Sequence, residues 1–335
     1  MEQQFNPTTI EQRASTSAGH VVGIDIGGTN LRIAIADPAG AILARWSAST
    51  SGAQPVIDLI LRGLDHLLQE TALPRSSLRA AAAGAPGITD TNTGVVIATS
   101  YLLGWRDIPL RDMLETALGV PVAVDNDVNL AALGESWAGA AQGVRDFVFL
   151  AVGTGIGAGI VLNGRLFHGM RWTAGEVGYM MVPGVTEAPV RPDDPGPLEL
   201  LAGGEGIRTQ WQNIWDQSKT TLSRNLTATQ IFDYAETYGD ALAQTILQQS
   251  ARAIAYAAYH MFLILSCPLF VLGGGVGLHP AMLRAARGVL QQMNARALPE
   301  LARSALGSDA QLMGAIRLAL DTAEAESVRE VAPAT

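Results

Sequence analysis

Asp25 leaves an apolar run, Val21-Val22-Gly23-Ile24, and enters the turn Gly27-Gly28-Thr29 before the chain becomes apolar again at Leu31, Ile33 and Ile35. Glycines lack a Cβ and let the backbone approach a bulky anion, and successive backbone N–H groups in such a turn form an anion-binding concavity. A carboxylate at the strand end can hold a hydrated Mg²⁺ against that anion. The pattern is a phosphate-binding hairpin between two strands, and it points to a nucleotide. A second turn, Gly153-Thr154-Gly155, fits the same description. Through Ala158 it also matches the dinucleotide pattern G-x-G-x-x-(G/A), which requires a helix next. Here Gly159-Ile160-Val161-Leu162-Asn163-Gly164 follows, a strand and a hairpin turn, so a nicotinamide-dependent oxidoreductase fails on context.

Asp125-Asn126-Asp127 falls where a strand ends and a helix begins. One such residue would serve as an ordinary N-cap, and three exceed what one cap needs. Asp127 is the candidate general base, taking a proton from an attacking hydroxyl. Glu176, in Ala174-Gly175-Glu176-Val177-Gly178, and Glu199, in Gly196-Pro197-Leu198-Glu199, lie in glycine- and proline-rich loops. Alone, each reads as a solvated loop charge; together they suit the vicinal hydroxyls of a sugar. Gly273-Gly274-Gly275 ends a buried strand and precedes a helical pattern. Three glycines cost conformational entropy, which a flat backbone surface for adenine or ribose, or a strand-to-helix turn, would explain. His20, His66, His168, His260 and His279 lack metal-ligand spacing and receive no role.

These residues need two scaffolds. A weak internal duplication supplies them: strands over 20–26, 31–37 and 41–47 in one copy, and over 146–152, 157–162 and 165–168 in the other. Asn163-Gly164 between apolar runs is a strong hairpin signal. Helices are expected over 57–68, 109–118 and 241–266, and further strands over 80–84, 95–99, 122–124 and 269–272. The predicted fold class is α/β, two lobes of like design that clamp a nucleotide between their glycine turns.

Composition narrows the function. With 335 residues and 48% hydrophobic content, the chain can build about two cored domains. A net charge of −9 and a pI near 5.0 argue against gripping nucleic acid. The single lysine, Lys219, has no glycine-rich neighbourhood, which excludes a Walker A loop. Cys267 is alone among apolar residues and reads as a packed core thiol. The first 18 residues lack the apolar core of a secretory signal. The greasiest stretch, 253–272, is broken by His260 and Pro268, so no membrane span and a cytoplasmic location are expected. Helix 241–266 reads either as an internal core helix or as a homodimer surface.

Taken together, Asp25-Ile-Gly-Gly-Thr-Asn-Leu-Arg32, Gly84-Ala-Pro-Gly87, Gly104-Trp105, Asp125-Asn-Asp-Val-Asn129, Gly153-Thr-Gly-Ile-Gly157, Ala174-Gly-Glu-Val-Gly178 and Gly273-Gly-Gly-Val276 resemble the ROK family of sugar kinases and regulators, within the actin-like hexokinase superfamily. The resemblance spans roughly residues 20–320. It implies two actin-like (ribonuclease H-like) lobes around an interdomain cleft. The smaller lobe would span 20–134 and be completed by a helix near 310–323; the larger would span 135–309, with tails at 1–19 and 324–335. It implies ATP- and Mg²⁺-dependent phosphorylation of a hexose, glucose 6-OH by default. By the family pattern Asn126, Glu176 and Glu199 would hold the sugar, with Gly87, Asp127 and Tyr179 also expected to contact it, and Asp127 would be the base. The turns Gly27-Gly28-Thr29, with Asn30 and Arg32, and Gly153-Thr154-Gly155 would take phosphates, Gly273–Gly275 the nucleoside, and Asp25 the Mg²⁺ through water. Two departures stand out. Tyr179 replaces the family's histidine, and the cysteine zinc loop is replaced by 185–199 without cysteine, so no zinc site is expected. Tyr101 also departs at the presumed sugar pocket. A catalytically inactive sugar sensor is the alternative; the regulators' DNA-binding domain does not fit in 19 residues ahead of the first strand.

Overall fold

The computed structural model describes residues 19–51, 55–99, 104–183 and 194–331. Tyr101 and most of the loop expected to lack zinc ligands lie outside the described residues.

Three antiparallel strands open the chain, β1 (His20–Ile26), β2 (Asn30–Ala36) and β3 (Ile42–Ser49). After α1 (Val56–Thr71) comes β4 (Leu78–Ala85), then a small antiparallel sheet of β5 (Ile88–Asp90), β6 (Val95–Ala98) and β7 (Arg106–Ile108). Helix α2 (Leu110–Leu118) stops at Gly119, and β8 (Val122–Asn126) leads directly into α3 (Asp127–Ala138). The first large sheet has the order β3-β2-β1-β4-β8, with β4 parallel to both neighbours.

The second sheet repeats this plan. β9 (Phe147–Val152), β10 (Ile156–Leu162) and β11 (Arg165–Leu166) are antiparallel. Then follow α4 (Pro197–Ala202), α5 (Gly204–Ile214), α6 (Ala228–Thr237), α7 (Ala241–Leu265), β12 (Leu269–Gly273), the single turn α8 (Gly274–Gly277), α9 (Pro280–Gln292), β13 (Glu300–Arg303) and α10 (Ala310–Val331). Its order is β11-β10-β9-β12-β13, with β12 parallel to both neighbours. The duplication seen in sequence is therefore a duplicated topology.

Helix α7 is mainly internal. Ala243, Ile246, Ile254, Ala257 and Met261 are buried in the core on one face of the second sheet, where Cys267 is buried too. The opposite face receives Ala131 and Ala132 of α3. On the first sheet, α10 lays Leu312, Ile316 and Ala319 against Val21, Ala34 and Ala82. The two sheets thus meet through the crossing of α3 with α10. Reciprocal glycines allow that crossing: a Cβ on Gly134 would lie 2.3 Å from the Ala310 carbonyl oxygen, and one on Gly314 1.7 Å from that of Leu130. Helix α10 continues to Val331, through the start of the expected tail, with Glu324, Ala325, Ser327, Val328 and Arg329 exposed. Ala323-Glu-Ala-Glu-Ser is built mostly of strong helix formers, and polarity alone does not end a helix.

Candidate active site

The β8–α3 junction sorts its polar residues into separate tasks. Asn126 is the N-cap of α3: its Oδ1 accepts the Val128 N–H at 2.8 Å and the Asn129 N–H at 3.2 Å. Its Nδ2 donates to the Gly87 carbonyl at 2.8 Å, tying the junction to the end of β4. Asp125 is buried; its Oδ1 accepts the Asn126 N–H at 2.7 Å and Asn129 Nδ2 at 2.9 Å, and its Oδ2 meets His168 Nε2 at 2.8 Å. Asp127 makes only local backbone bonds, the Val128 N–H at 2.9 Å among them. Of the three polar residues, Asp127 is the one least consumed by holding the fold.

Burial is the main cause that pushes the Asp127 carboxyl up to about 7, followed by the charge of Asp25 and, more weakly, that of Glu176. Asp25 is also raised, by burial, against the opposing pull of Arg32. Glu176 is raised by the surrounding protein and by Glu199. A carboxylate poised near neutrality is suited to general-base work.

A small cleft lies beside this junction, lined by Gly87, Asn126, Val128, Trp172, Gly175 and Glu176 among others. The structure therefore brings together Gly87, Asn126 and Glu176, with Asp127 alongside. Glu199 and Tyr179 are not among the cavity's described lining residues. Both Glu199 oxygens are committed to backbone: Oε1 accepts the Ile156 N–H at 2.7 Å and Oε2 the Gly196 N–H at 2.8 Å. Glu199 thereby fixes the start of α4 and the exit of the Gly153–Gly155 turn. The Tyr179 hydroxyl approaches the Asp194 carbonyl at 3.5 Å.

The glycine turns differ in what they leave open. Gly27 closes the first turn through its N–H to the Asn30 carbonyl at 2.8 Å, and Gly28, Thr29 and Asn30 are exposed. Thr50 steadies the turn from β3, bonding the Thr29 and Gly27 carbonyls at 2.9 and 3.0 Å. Arg32 is held by Asp25 at 2.7 Å and by the Ser308 carbonyl. In the second turn Gly153 bonds the Gly155 carbonyl at 2.9 Å, and a Cβ on Gly153 would meet nothing within 4 Å. The glycine triplet divides. A Cβ on Gly273 would strike the Phe149 ring at 2.1 Å, and Gly274 adopts φ +75° against the Val152 carbonyl, so packing explains both. Gly275 faces open space and is the member free to line a ligand.

Sequence reasoning missed two residues here. His168 and Trp172 follow β11, and both reach the β8–α3 region, His168 through Asp125 and Trp172 through the shared cavity. The bracketing glycines Gly169 and Gly175 were the only local signal.

The whole arrangement has counterparts. The ROK family profile matches residues 21–322. A glucokinase from Halalkalibacterium halodurans is 34% identical, over 88% of this chain and 92% of its own. A ROK hexokinase structure from Thermus thermophilus is 30% identical with a TM-score of 0.71, covering 93% of this chain and 99% of that one. A ROK glucokinase from Streptomyces griseus, solved with glucose and AMPPNP, is 27% identical with a TM-score of 0.75, covering 90% of this chain and all (100%) of that one. With an α/β architecture shared over 90–93% of its length with ROK kinase structures, and a profile match spanning both sheets, this chain belongs to the ROK family.

Proposed function

We propose that this protein is an ATP-dependent hexose kinase that moves the γ-phosphoryl group of ATP to a hexose hydroxyl, with glucose 6-OH the default acceptor. The observation that carries the reading is Asp127. It is a carboxyl held near pKa 7 at the start of α3, beside a cavity lined by hydrogen-bonding groups. Its carboxylate takes the hydroxyl proton while the hydroxyl oxygen forms a bond to the γ-phosphorus and the bond to ADP breaks. Glu176 accepts from sugar hydroxyls at the cavity mouth. The remaining N–H of the Asn126 amide donates there, since its other groups are already engaged. Glu199 acts on the site by holding the Gly153–Gly155 turn.

The open faces of Gly153 and Gly275, with the exposed turn at Gly28-Thr29, fit a nucleotide that needs close backbone approach. Asp25 fits a hydrated Mg²⁺. Its Oδ2 is taken by Arg32, and Oδ1 has no protein partner among the described residues. When bound there, Mg²⁺ would supply charge neutralisation to the phosphates. The two sheets would be the cores of two lobes, and the α3–α10 crossing the pivot on which they close over the sugar to exclude water. No helix among the described residues is long and apolar enough to cross a membrane, and we place the reaction in the cytoplasm, where ATP is supplied. Leu263 and Ile264, 59% and 79% exposed at the end of α7, are the candidate homodimer contact.

ADP release, measured with Mg²⁺-ATP and a panel of hexoses and amino sugars, tests the reading. Sugar-dependent turnover with at least one hexose is expected. Sugar binding without turnover across the panel would point instead to a sugar-sensing regulator.

A further inference from the structure

The segment joining β11 to β10's neighbour Gly175 carries unusual backbone. Arg171 and Trp172 are consecutive and both left-handed, at φ 65° and 56°. The other described non-glycine residues with positive φ stand singly: Ala72 and Ser266 at helix ends, Asn163 in a hairpin turn and Asp107 within β7. A left-handed conformation is a genuine outlier for a bulky side chain, and such strain persists only where the surroundings impose it. The surroundings here do. His168 anchors one end to Asp125 at 2.8 Å, the Ala174 N–H returns to the His168 carbonyl at 3.2 Å, and the Ala158 N–H fixes the Gly175 carbonyl at 2.8 Å.

Packing gives no reason for the strain. Trp172 belongs to none of the described hydrophobic clusters and makes no aromatic contact among the described residues. The same turn leaves Met170 86% exposed and Arg171 exposed, yet half-buries Trp172 as a wall of the cavity shared with Asn126 and Glu176.

Building on the kinase reading, we propose that Trp172 is a specificity-determining residue that stacks its indole face on the C–H face of a hexopyranose while Asn126 and Glu176 bind hydroxyls. The electron-rich ring face attracts the weakly positive C–H edge of a pyranose, and the rigid indole gives large contact area at low entropic cost. The indole N–H has no partner among the described residues, which leaves it to meet a hydroxyl or water.

The test is a pair of variants in the full chain, W172G and W172F. Glycine relaxes the left-handed backbone, so W172G is expected to melt no lower than wild type. Its KM for the preferred hexose should rise about tenfold or more while KM for ATP stays within about twofold, and W172F should recover most of the loss. A sugar KM within about twofold of wild type in W172G, or a parallel rise in both KM values, would overturn the assignment. A fall in melting temperature of W172G would also overturn it, because the indole would then be packing. If wild type turns over no sugar, the kinase reading fails by itself. Calorimetric titration of the panel sugars into wild type and W172G still decides Trp172: weaker binding in the variant upholds it and equal binding overturns it.

Discussion

Asp25 raises the proton affinity of Asp127: after burial, the Asp25 carboxylate is the largest influence lifting the Asp127 carboxyl to about 7. The two acids sit at corresponding ends of strands in one sheet, Asp25 near the end of β1 and Asp127 just past the end of β8, with β4 between them. Arg32 on Asp25 limits the repulsion without cancelling it. On the proposed reading, one acid would serve the metal-phosphate side and the other the acceptor hydroxyl.

The base form of Asp127 predominates only above its folded pKa, so kcat/KM for the sugar should climb between pH 6 and 8 and bend near about 7. A pH–rate profile flat across that interval would contradict the assignment.

Stability should move the other way. Because the Asp127 pKa is raised from 3.8 to about 7 on folding, the folded state binds the extra proton between those values and loses stability as pH rises through them. D127N removes that loss. It should therefore melt above wild type at pH 8, with the gap narrowing as pH falls towards 4. Thermal melts across that pH range check the sign; a constant or inverted gap counts against the raised pKa.

Glu199 distinguishes turn-holding from sugar-holding. Its oxygens bind the Ile156 and Gly196 N–H groups at 2.7 and 2.8 Å, so E199A should loosen the Gly153–Gly155 turn. Steady-state kinetics should give a KM for ATP raised by about tenfold, exceeding any change in KM for sugar. A change confined to sugar KM would return Glu199 to the role its family position implies.

Glu135 tests the pivot. Fully buried on α3, its carboxylate accepts from the Ser304 hydroxyl and from the N–H groups of Ala140 at 2.6 Å, Leu306 at 3.0 Å and Ala305 at 3.3 Å. It joins α3 to the connection between β13 and α10. E135A strands those donors and should cost about 3 kcal/mol or more in denaturant unfolding. A loss under about 1 kcal/mol would mean water replaces the carboxylate without penalty.

Much of this architecture was legible because its punctuation is chemical. The glycine turns and the Asn163-Gly164 hairpin mark strand pairs, and Asp125-Asn126-Asp127 marks a strand-to-helix junction. Other features depend on distance in the chain. Asp125 and His168 meet across 43 residues, so no spacing rule links them. β5 and β7 have three residues each, too few for an alternation to register. The Gly273–Gly275 run suggested a ligand surface, yet the Phe149 ring and the Val152 carbonyl, both on β9, account for two of its three glycines. The left-handed backbone at Trp172 is invisible in sequence because tryptophan ordinarily avoids it.

The most direct test of the whole account is single-turnover phosphoryl transfer by D127N with Mg²⁺-ATP and the preferred hexose, alongside calorimetric sugar affinity. The account predicts a rate lowered by about two powers of ten or more with sugar affinity nearly intact. A D127N rate equal to wild type would contradict it.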